Sequence, residues 1–135
     1  MRFPQKYGPS DIPPSVHTLV ALLLPRLLEG PHPALTALRE QLRGARITEV
    51  EMTGAGFYAK LAVPLDAPLA NPPNITGGKA DIELSSAKHG AGCVVFVRDG
   101  RLVTFEGYTF DDTWAVDAQV TGIARVAPLS PEGPA

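Results

Sequence analysis

A two-residue turn between two β-rich runs constrains this fold more than any other feature of the chain. Residues 93–98 and 101–106 are rich in valine and phenylalanine, and the dipeptide Asp99-Gly100 lies between them. An Asp-Gly pair in this setting favours a type I′ turn, because both central residues of that turn need a positive φ. The pattern therefore predicts an antiparallel hairpin with its reversal at Asp99 and Gly100.

The hairpin also predicts which side chains share a face of the sheet. A two-residue turn pairs Arg98 with Arg101 and, further out, Phe96 with Val103. Because side chains alternate between the two faces of a strand, this register predicts one core face. That face consists of Val94, Phe96, Val103 and Phe105, and the opposite face consists of Cys93, Val95, Val97, Leu102, Thr104 and Glu106.

Two helical segments precede the strands. Ser15 is a suitable N-cap for an apolar helix that reaches Leu24, and Pro25 predicts either a kink or an end with a restart. A second, amphipathic helix is predicted over residues 33–43. The first helix is apolar on nearly every side, so we expect either deep burial or a homodimer contact. Its leucines would make that contact in part: Leu19, Leu22, Leu23, Leu27 and Leu28.

Further strands are predicted on both sides of a long loop. Residues 46–63 alternate as a second hairpin, residues 80–85 as a short strand and residues 118–126 as a final strand. Residues 88–92 contain two glycines and predict a flexible turn. The loop over residues 64–78 is rich in proline and glycine, and two interpretations stay open for it: a cover for the sheet edge or a binding segment.

Together these elements predict one α+β domain over residues 15–127. We expect two N-terminal helices packed on one face of an antiparallel sheet of hairpins, with about four to six strands. Residues 1–14 are expected to form an extended arm, and residues 128–135 a flexible tail.

Composition excludes several classes of function. The net charge of −2 gives no electrostatic basis for binding nucleic acid. The longest apolar run, Leu19 to Leu24, is too short to span a bilayer, and the first residues lack the apolar region of a secretion signal. The chain has one cysteine and widely spaced histidines, so we expect neither a disulfide nor a metal site. A cytoplasmic protein without membrane contact or cofactor is therefore expected.

Titratable residues provide weak candidates for chemistry. Cys93 has His89 nearby in sequence and Glu106 opposite it in the expected register, but a carboxylate beside a thiol favours the protonated, unreactive form. We therefore expect Cys93 to be a small hydrophobic residue. Acids can act in pairs when one of them is desolvated, and the candidates for such a pair are Asp81, Glu83, Glu106 and Asp111.

The stretch from Glu106 to Trp114 carries the best signal for recognition. Tyrosine and tryptophan beside the end of a hairpin supply large, stiff contact area with a polar tip. The alternative is that these aromatic residues simply cover the end of the sheet. We take as candidate binding residues Tyr108, Phe110, Trp114, Glu106 and Asp111, and we predict no catalytic residue.

Several short motifs, in order, resemble a family of small uncharacterised bacterial α+β proteins. These motifs are Gly54-Ala-Gly56-Phe57-Tyr58, His89-Gly-Ala-Gly92, Phe96-Val-Arg-Asp-Gly100 and Glu106-Gly-Tyr-Thr109 followed by Trp114. The resemblance covers residues 46–114 and implies a scaffold, since the family brings no established reaction, cofactor or catalytic residue. Some small α+β proteins of this kind are immunity proteins that accompany bacterial toxins.

Three hypotheses for function follow from these observations. The first is a non-enzymatic protein-binding module of a bacterial cell, similar to an immunity protein, that binds a protein partner. The second is a small hydrolase or isomerase that uses the paired carboxylates named above. The third is a binder of a small apolar ligand held between the helices and the sheet.

Overall fold

The computed structural model describes residues 3–75 and 77–131. These residues form an α+β structure in which every neighbouring pair of strands is antiparallel, and the strand order is β1-β2-β3-β6-β5-β4-β7. The helices are α1 (Pro14–Leu22), α2 (Leu24–Leu27) and α3 (Pro33–Gly44). The strands are β1 (Gln5–Tyr7), β2 (Arg46–Met52), β3 (Gly56–Ala62), β4 (Gly77–Leu84), β5 (Ala87–Arg98), β6 (Arg101–Thr109) and β7 (Val120–Leu129).

The hairpin of β5 and β6 reverses at the predicted turn. Asp99 has a φ of 53° and Gly100 a φ of 77°, as a type I′ turn requires. Arg98 pairs with Arg101 as expected. Further from the turn a β-bulge shifts the register, so that Phe96 pairs with Thr104 and not with Val103.

The faces predicted for this hairpin are wrong on β5 and partly wrong on β6. On β5 the residues Cys93, Val95 and Val97 are buried, whereas Phe96 is 39% exposed. On β6 the bulge brings Leu102 and Phe105 to the core together, although they are three positions apart. Both faces of β5 carry apolar side chains, so alternation alone could not decide which face points inward.

The other strands follow the predicted pattern with one change. The hairpin over residues 46–63 is confirmed by β2 and β3, and the inward side chains of β4 include Ile82 and Leu84. The flexible turn expected over residues 88–92 is wrong, because β5 already begins at Ala87. The chain instead reverses at Ser85 and Ser86.

The first helical segment divides at Leu23, two residues before Pro25. The helix α1 ends at Leu22 and α2 restarts at Leu24, which is one of the two predicted forms. Ser15 is not the N-cap, because α1 begins at Pro14. Within the described residues no helix is long and apolar enough to cross a membrane.

The leucines of this segment are buried within the chain, with one exception. Side chains without any exposed surface include Leu19, Leu23, Leu27 and Leu28, whereas Leu22 is 59% exposed. Of the two alternatives for this segment, the structure shows deep burial. Four of the five leucines considered for a homodimer contact are therefore covered by their own chain.

The second predicted helix is confirmed by α3, which begins at Pro33. His32 is its N-cap, and its Nδ1 atom accepts a hydrogen bond of 3.0 Å from the backbone N–H of Ala34. The helix extends one residue beyond the predicted end, to Gly44.

The ends of the chain contribute strands. Part of the expected arm is β1, which pairs with β2 at one edge of the sheet. At the other edge β7 continues to Leu129, which is buried. Residues 132–135 of the expected tail lie outside the described residues.

The long loop after β3 is attached to the tip of the β5–β6 hairpin by a buried glutamine. The Gln41 Nε2 group donates hydrogen bonds to the carbonyl oxygens of Pro68, at 2.8 Å, and Gly100, at 2.6 Å. The Gln41 Oε1 atom accepts from the N–H of Leu102 at 3.0 Å. Because each of these groups is satisfied, the amide fixes the loop, the turn and α3 to one another.

Candidate functional site

The face of the central strands turned away from the core carries a row of large and charged side chains. Residues that pair across strands share a face, and the pairing aligns Tyr58, Glu106, Val94 and Lys79 across β3, β6, β5 and β4. None of the four is buried. We call this surface the open face, defined by these four residues together with Phe96, Tyr108, Phe110 and Asp81.

A second row on the open face contains Tyr108, Gly92 and Asp81. The ring of Tyr108 lies over Gly92, since a Cβ atom at that position would be 2.5 Å from the tyrosine hydroxyl oxygen. Phe110 meets Tyr108 edge to face, with ring centroids 5.6 Å apart. Glycine thus lets the tyrosine ring lie against the sheet, where a neighbouring ring also supports it.

Aromatic side chains on this face are largely accessible. Phe96 is 39% exposed, Tyr58 45% and Phe110 49%. A surface cavity of about 560 Å³ is lined by Val94, Phe96, Tyr108 and Lys79, among others. Exposed apolar groups that cluster beside a cavity are typical of a contact surface.

Burial changes the acidity of two groups on the open face. Partial burial raises the pKa of the Glu106 carboxyl. Burial also raises the pKa of the Tyr108 hydroxyl, and the nearby charge of Asp81 raises it further. Tyr108 therefore remains a neutral phenol at neutral pH, able both to donate and to accept a hydrogen bond.

Trp114, expected at the recognition surface, lies in the core. It has no exposed surface, and its ring meets Phe57 edge to face at a centroid distance of 4.9 Å. Its Nε1–H donates a hydrogen bond of 2.9 Å to the hydroxyl of Ser15. Trp114 thus follows the alternative interpretation, in which an aromatic residue covers the end of the sheet, and it is not part of the open face.

The other candidate binding residues lie at the surface. Tyr108, Phe110 and Glu106 belong to the open face, and all three come from β6 or the residue that follows it. Asp111 is exposed in the next loop, where its φ is 58°. The structure therefore brings together three of the five candidates.

Two of the four predicted acids line one cavity. Asp81 and Glu83 border a space of about 460 Å³ together with His89, Phe110 and Arg125. The Asp81 Oδ2 atom is 3.5 Å from the Arg125 Nη1 atom.

Among the described residues, no group of histidine, cysteine and acidic side chains could hold a metal ion. The hydrolase or isomerase hypothesis stays a prediction.

Cys93 is unsuited to nucleophilic chemistry. It has no exposed surface, and burial raises the pKa of its thiol. The bulge pairs it with Gly107, so the expected pairing with Glu106 is wrong. The His89 Nδ1 atom lies 3.1 Å from the Asp112 Oδ2 atom at the surface.

Packed leucines occupy the space between helices and sheet in which an apolar ligand was expected. The core cluster is continuous from the leucines of α1 and α2 to the inward side chains of the strands. Another surface cavity of about 560 Å³ lies elsewhere, beside Pro31, Leu35 and Leu129. The leucine packing therefore gives no support to the ligand hypothesis at that place.

Sequence reasoning missed four residues of the open face. Val94 and Phe96 were expected in the core because they are apolar, and neither Tyr58 nor Lys79 was considered for binding. The available signal was alternation on β3, which already placed Tyr58 opposite the buried Phe57. What was missing was the register that aligns β3, β6, β5 and β4.

In comparisons with protein-family models, curated proteins and solved structures, this chain matches none of them. The resemblance to small bacterial proteins stays a prediction.

Proposed function

We propose that this chain is a non-enzymatic protein-binding module that captures its partner through the open face. The observation that carries the proposal is the set of accessible aromatic side chains on this face: Tyr58, Phe96, Tyr108 and Phe110. An outward sheet face is ordinarily polar where it meets only water. When a partner covers large aromatic groups in such a place, the burial of their surface makes the free energy of binding more favourable.

The arrangement of the helices supports this choice of face. The helix α3 contacts β6, and α2 contacts β4 and β7. We infer that the helices all lie on the core side of the sheet, since their buried leucines form one cluster with the inward residues of these strands. The open face then remains available to a partner.

The two aromatic residues at the centre of the proposal are held in place before binding. The sheet beneath Tyr108 and the adjacent ring of Phe110 restrict the motion of both side chains. A preorganised contact loses less conformational entropy when a partner binds. Such a rigid surface suits a binding module similar to an immunity protein, and we place that function in the bacterial cytoplasm.

Affinity capture from the native cell tests the proposal. The tagged full chain is compared with a Tyr108→Ala/Phe110→Ala double variant and with a Leu65→Ala control, because Leu65 is 89% exposed in the loop after β3. We expect a protein that co-purifies with the wild type and the control to be lost from the double variant. Equal recovery with all three chains, each folded by circular dichroism, would contradict the proposal.

A further inference from the structure

We infer that the partner on the open face is a second copy of this chain, packed face to face about a two-fold axis that runs along β5. This inference rests on the proposed function, since it names the partner of the same surface. It uses the strand register, which fixes the order of side chains across the face.

One row of side chains on the open face is complementary to the same row taken in the opposite order across the strands. The pairing aligns Tyr58, Glu106, Val94, Lys79 and Ala127 on β3, β6, β5, β4 and β7. Val94 is the centre of this row. On either side of it stand an acid and a base, and beyond them a large aromatic residue and a small one.

A two-fold axis that runs parallel to β5 above Val94, midway between two stacked sheets, places each side of the row of one copy against the other side of the row of its partner. Neighbouring strands are about 4.8 Å apart, so Glu106 and Lys79 lie at equal distances from the axis. Face-to-face packing then places Lys79 of one copy against Glu106 of the other, twice by symmetry. The same operation sets Tyr58 of each copy above Ala127 of the other, which fits bulk to a small residue.

The side chains near the axis are apolar. Val94 is partly exposed, and Phe96 follows it two positions along β5 on the same face, where it is 39% exposed. In the neighbouring row, the operation brings Tyr108 of one copy toward Asp81 of the other. A neutral tyrosine hydroxyl can donate a hydrogen bond to that carboxylate.

The two central charges are available for a contact between copies. Elsewhere on this side, Lys60 Nζ lies 3.2 Å from Glu49 Oε2 and Arg125 Nη1 lies 3.5 Å from Asp81 Oδ2. Within the part of the chain that the structure describes, no such ion pair involves Lys79 or Glu106. Charge complementarity between two copies would satisfy both.

Charge reversal tests the inference on the purified full chain. Sedimentation velocity over a concentration series measures self-association of the wild type, Lys79→Glu, Glu106→Lys and the double variant that carries both changes. Each single reversal brings like charges together, so we expect the dissociation constant to rise by about tenfold or more. The double variant restores opposite charges, and we expect it to dimerise nearly as tightly as the wild type.

Two controls separate this surface from others. Arg43→Glu makes the same change of charge at an exposed position of α3, and it should leave self-association unchanged. Leu22→Asp changes the one exposed leucine among the five considered for a helical dimer. Dimerisation that is lost in Leu22→Asp but insensitive to both single reversals would overturn the inference.

A wild type that stays monomeric across the series would also overturn it, as would a double variant that is no tighter than either single reversal. These outcomes leave the proposed function untouched, because capture of a different protein by Tyr108 and Phe110 would still be seen in the affinity experiment. Conversely, equal recovery with the wild type and the Tyr108→Ala/Phe110→Ala variant, together with an intact dimer, would contradict the proposed function alone.

Discussion

Two aromatic clusters built from neighbouring residues have opposite environments. Phe105 and Trp114 join Phe57 in the core, where none of the three is more than 1% exposed. Tyr108 and Phe110 lie between them in sequence, yet they form their edge-to-face pair on the open face. The first cluster stabilises the fold, whereas the second has the properties of a recognition surface.

The difference lies in surroundings more than in residue type. The core cluster closes around Gly107, whose missing side chain leaves room for Phe57 and Trp114. In the surface pair, Tyr108 lies over Gly92, and Phe110 beside it is 49% exposed. In both places a glycine leaves room for an aromatic ring to lie against the sheet. The two clusters differ in whether other side chains bury the ring, as in the core cluster, or leave it accessible to a partner, as on the open face.

The largest expected effect comes from breaking the core cluster. Trp114→Ala removes the packing against Phe57 and leaves Ser15 without its indole partner, so we expect a loss of about 3–5 kcal/mol in the free energy of unfolding. Chemical denaturation measures it. A loss below about 1 kcal/mol would show that the core cluster contributes no more than an ordinary surface contact.

A smaller effect is expected from overfilling the same cluster. In Gly107→Ala the new Cβ would collide with the Phe57 ring and lie 2.8 Å from Trp114, which we expect to cost about 1–3 kcal/mol of unfolding free energy. Gly8→Ala is the matched control, because a Cβ at Gly8 meets nothing within 4 Å. Equal denaturation midpoints for the two variants would refute the packing role of Gly107.

The surface pair should matter little to stability. Replacing Tyr108 and Phe110 with alanine removes one exposed edge-to-face contact, so we expect a loss of only about 0.5–1.5 kcal/mol in unfolding free energy. The same denaturation experiment measures it. A loss as large as that of Trp114→Ala would show that the two clusters do not divide stability from recognition.

The smallest expected effect is a pH-dependent contribution to stability from Asp112, in the loop between Phe110 and Trp114. The Asp112 carboxylate accepts a hydrogen bond of 3.1 Å from the His89 backbone N–H, and this bond, followed by contacts with the His89 side chain, lowers the pKa of Asp112. A lowered carboxyl pKa stabilises the fold above the ordinary aspartate pKa, and that contribution is lost as the pH falls through the lowered value.

NMR titration of the His89 amide should therefore show a transition below the ordinary aspartate pKa. The transition should disappear in Asp112→Asn, which has no carboxyl group to titrate. A midpoint at or above the ordinary value would contradict the contact between this loop and β5.

Much of the fold was predictable because its signals are local. The turn at Asp99 and Gly100 needs residues that accept positive φ, and Pro25 cannot continue a helix ladder. The amphipathic period of α3 likewise depends on neighbours within a few positions. Of the candidate site, Tyr108, Phe110 and Glu106 were found from their types and from their position at the end of the predicted hairpin.

Other features depended on distant partners. Gln41 joins α3 to Pro68 and Gly100, which lie 27 and 59 positions further along the chain, and no local sequence pattern predicts these hydrogen bonds. Trp114 was a candidate binding residue because of its type and its place beside the hairpin end, and its bonding partner Ser15, which is 99 positions away, could not be found from a local pattern. In both cases the environment of the side chain depends on segments that are distant along the chain and become neighbours only in the folded structure.

The sequence by itself determined the turn at Asp99 and Gly100, the interrupted first helix, the amphipathic helix α3 and the hairpin of β2 and β3, because these features follow from backbone sterics and short-range periodicity. Only the tertiary structure decided which face of β5 is buried. Apolar side chains occupy both faces of that strand, so the choice depended on which face packs against the helices and the other inward side chains. That choice placed Phe96 and Val94 on the open face and thereby defined the surface proposed for recognition.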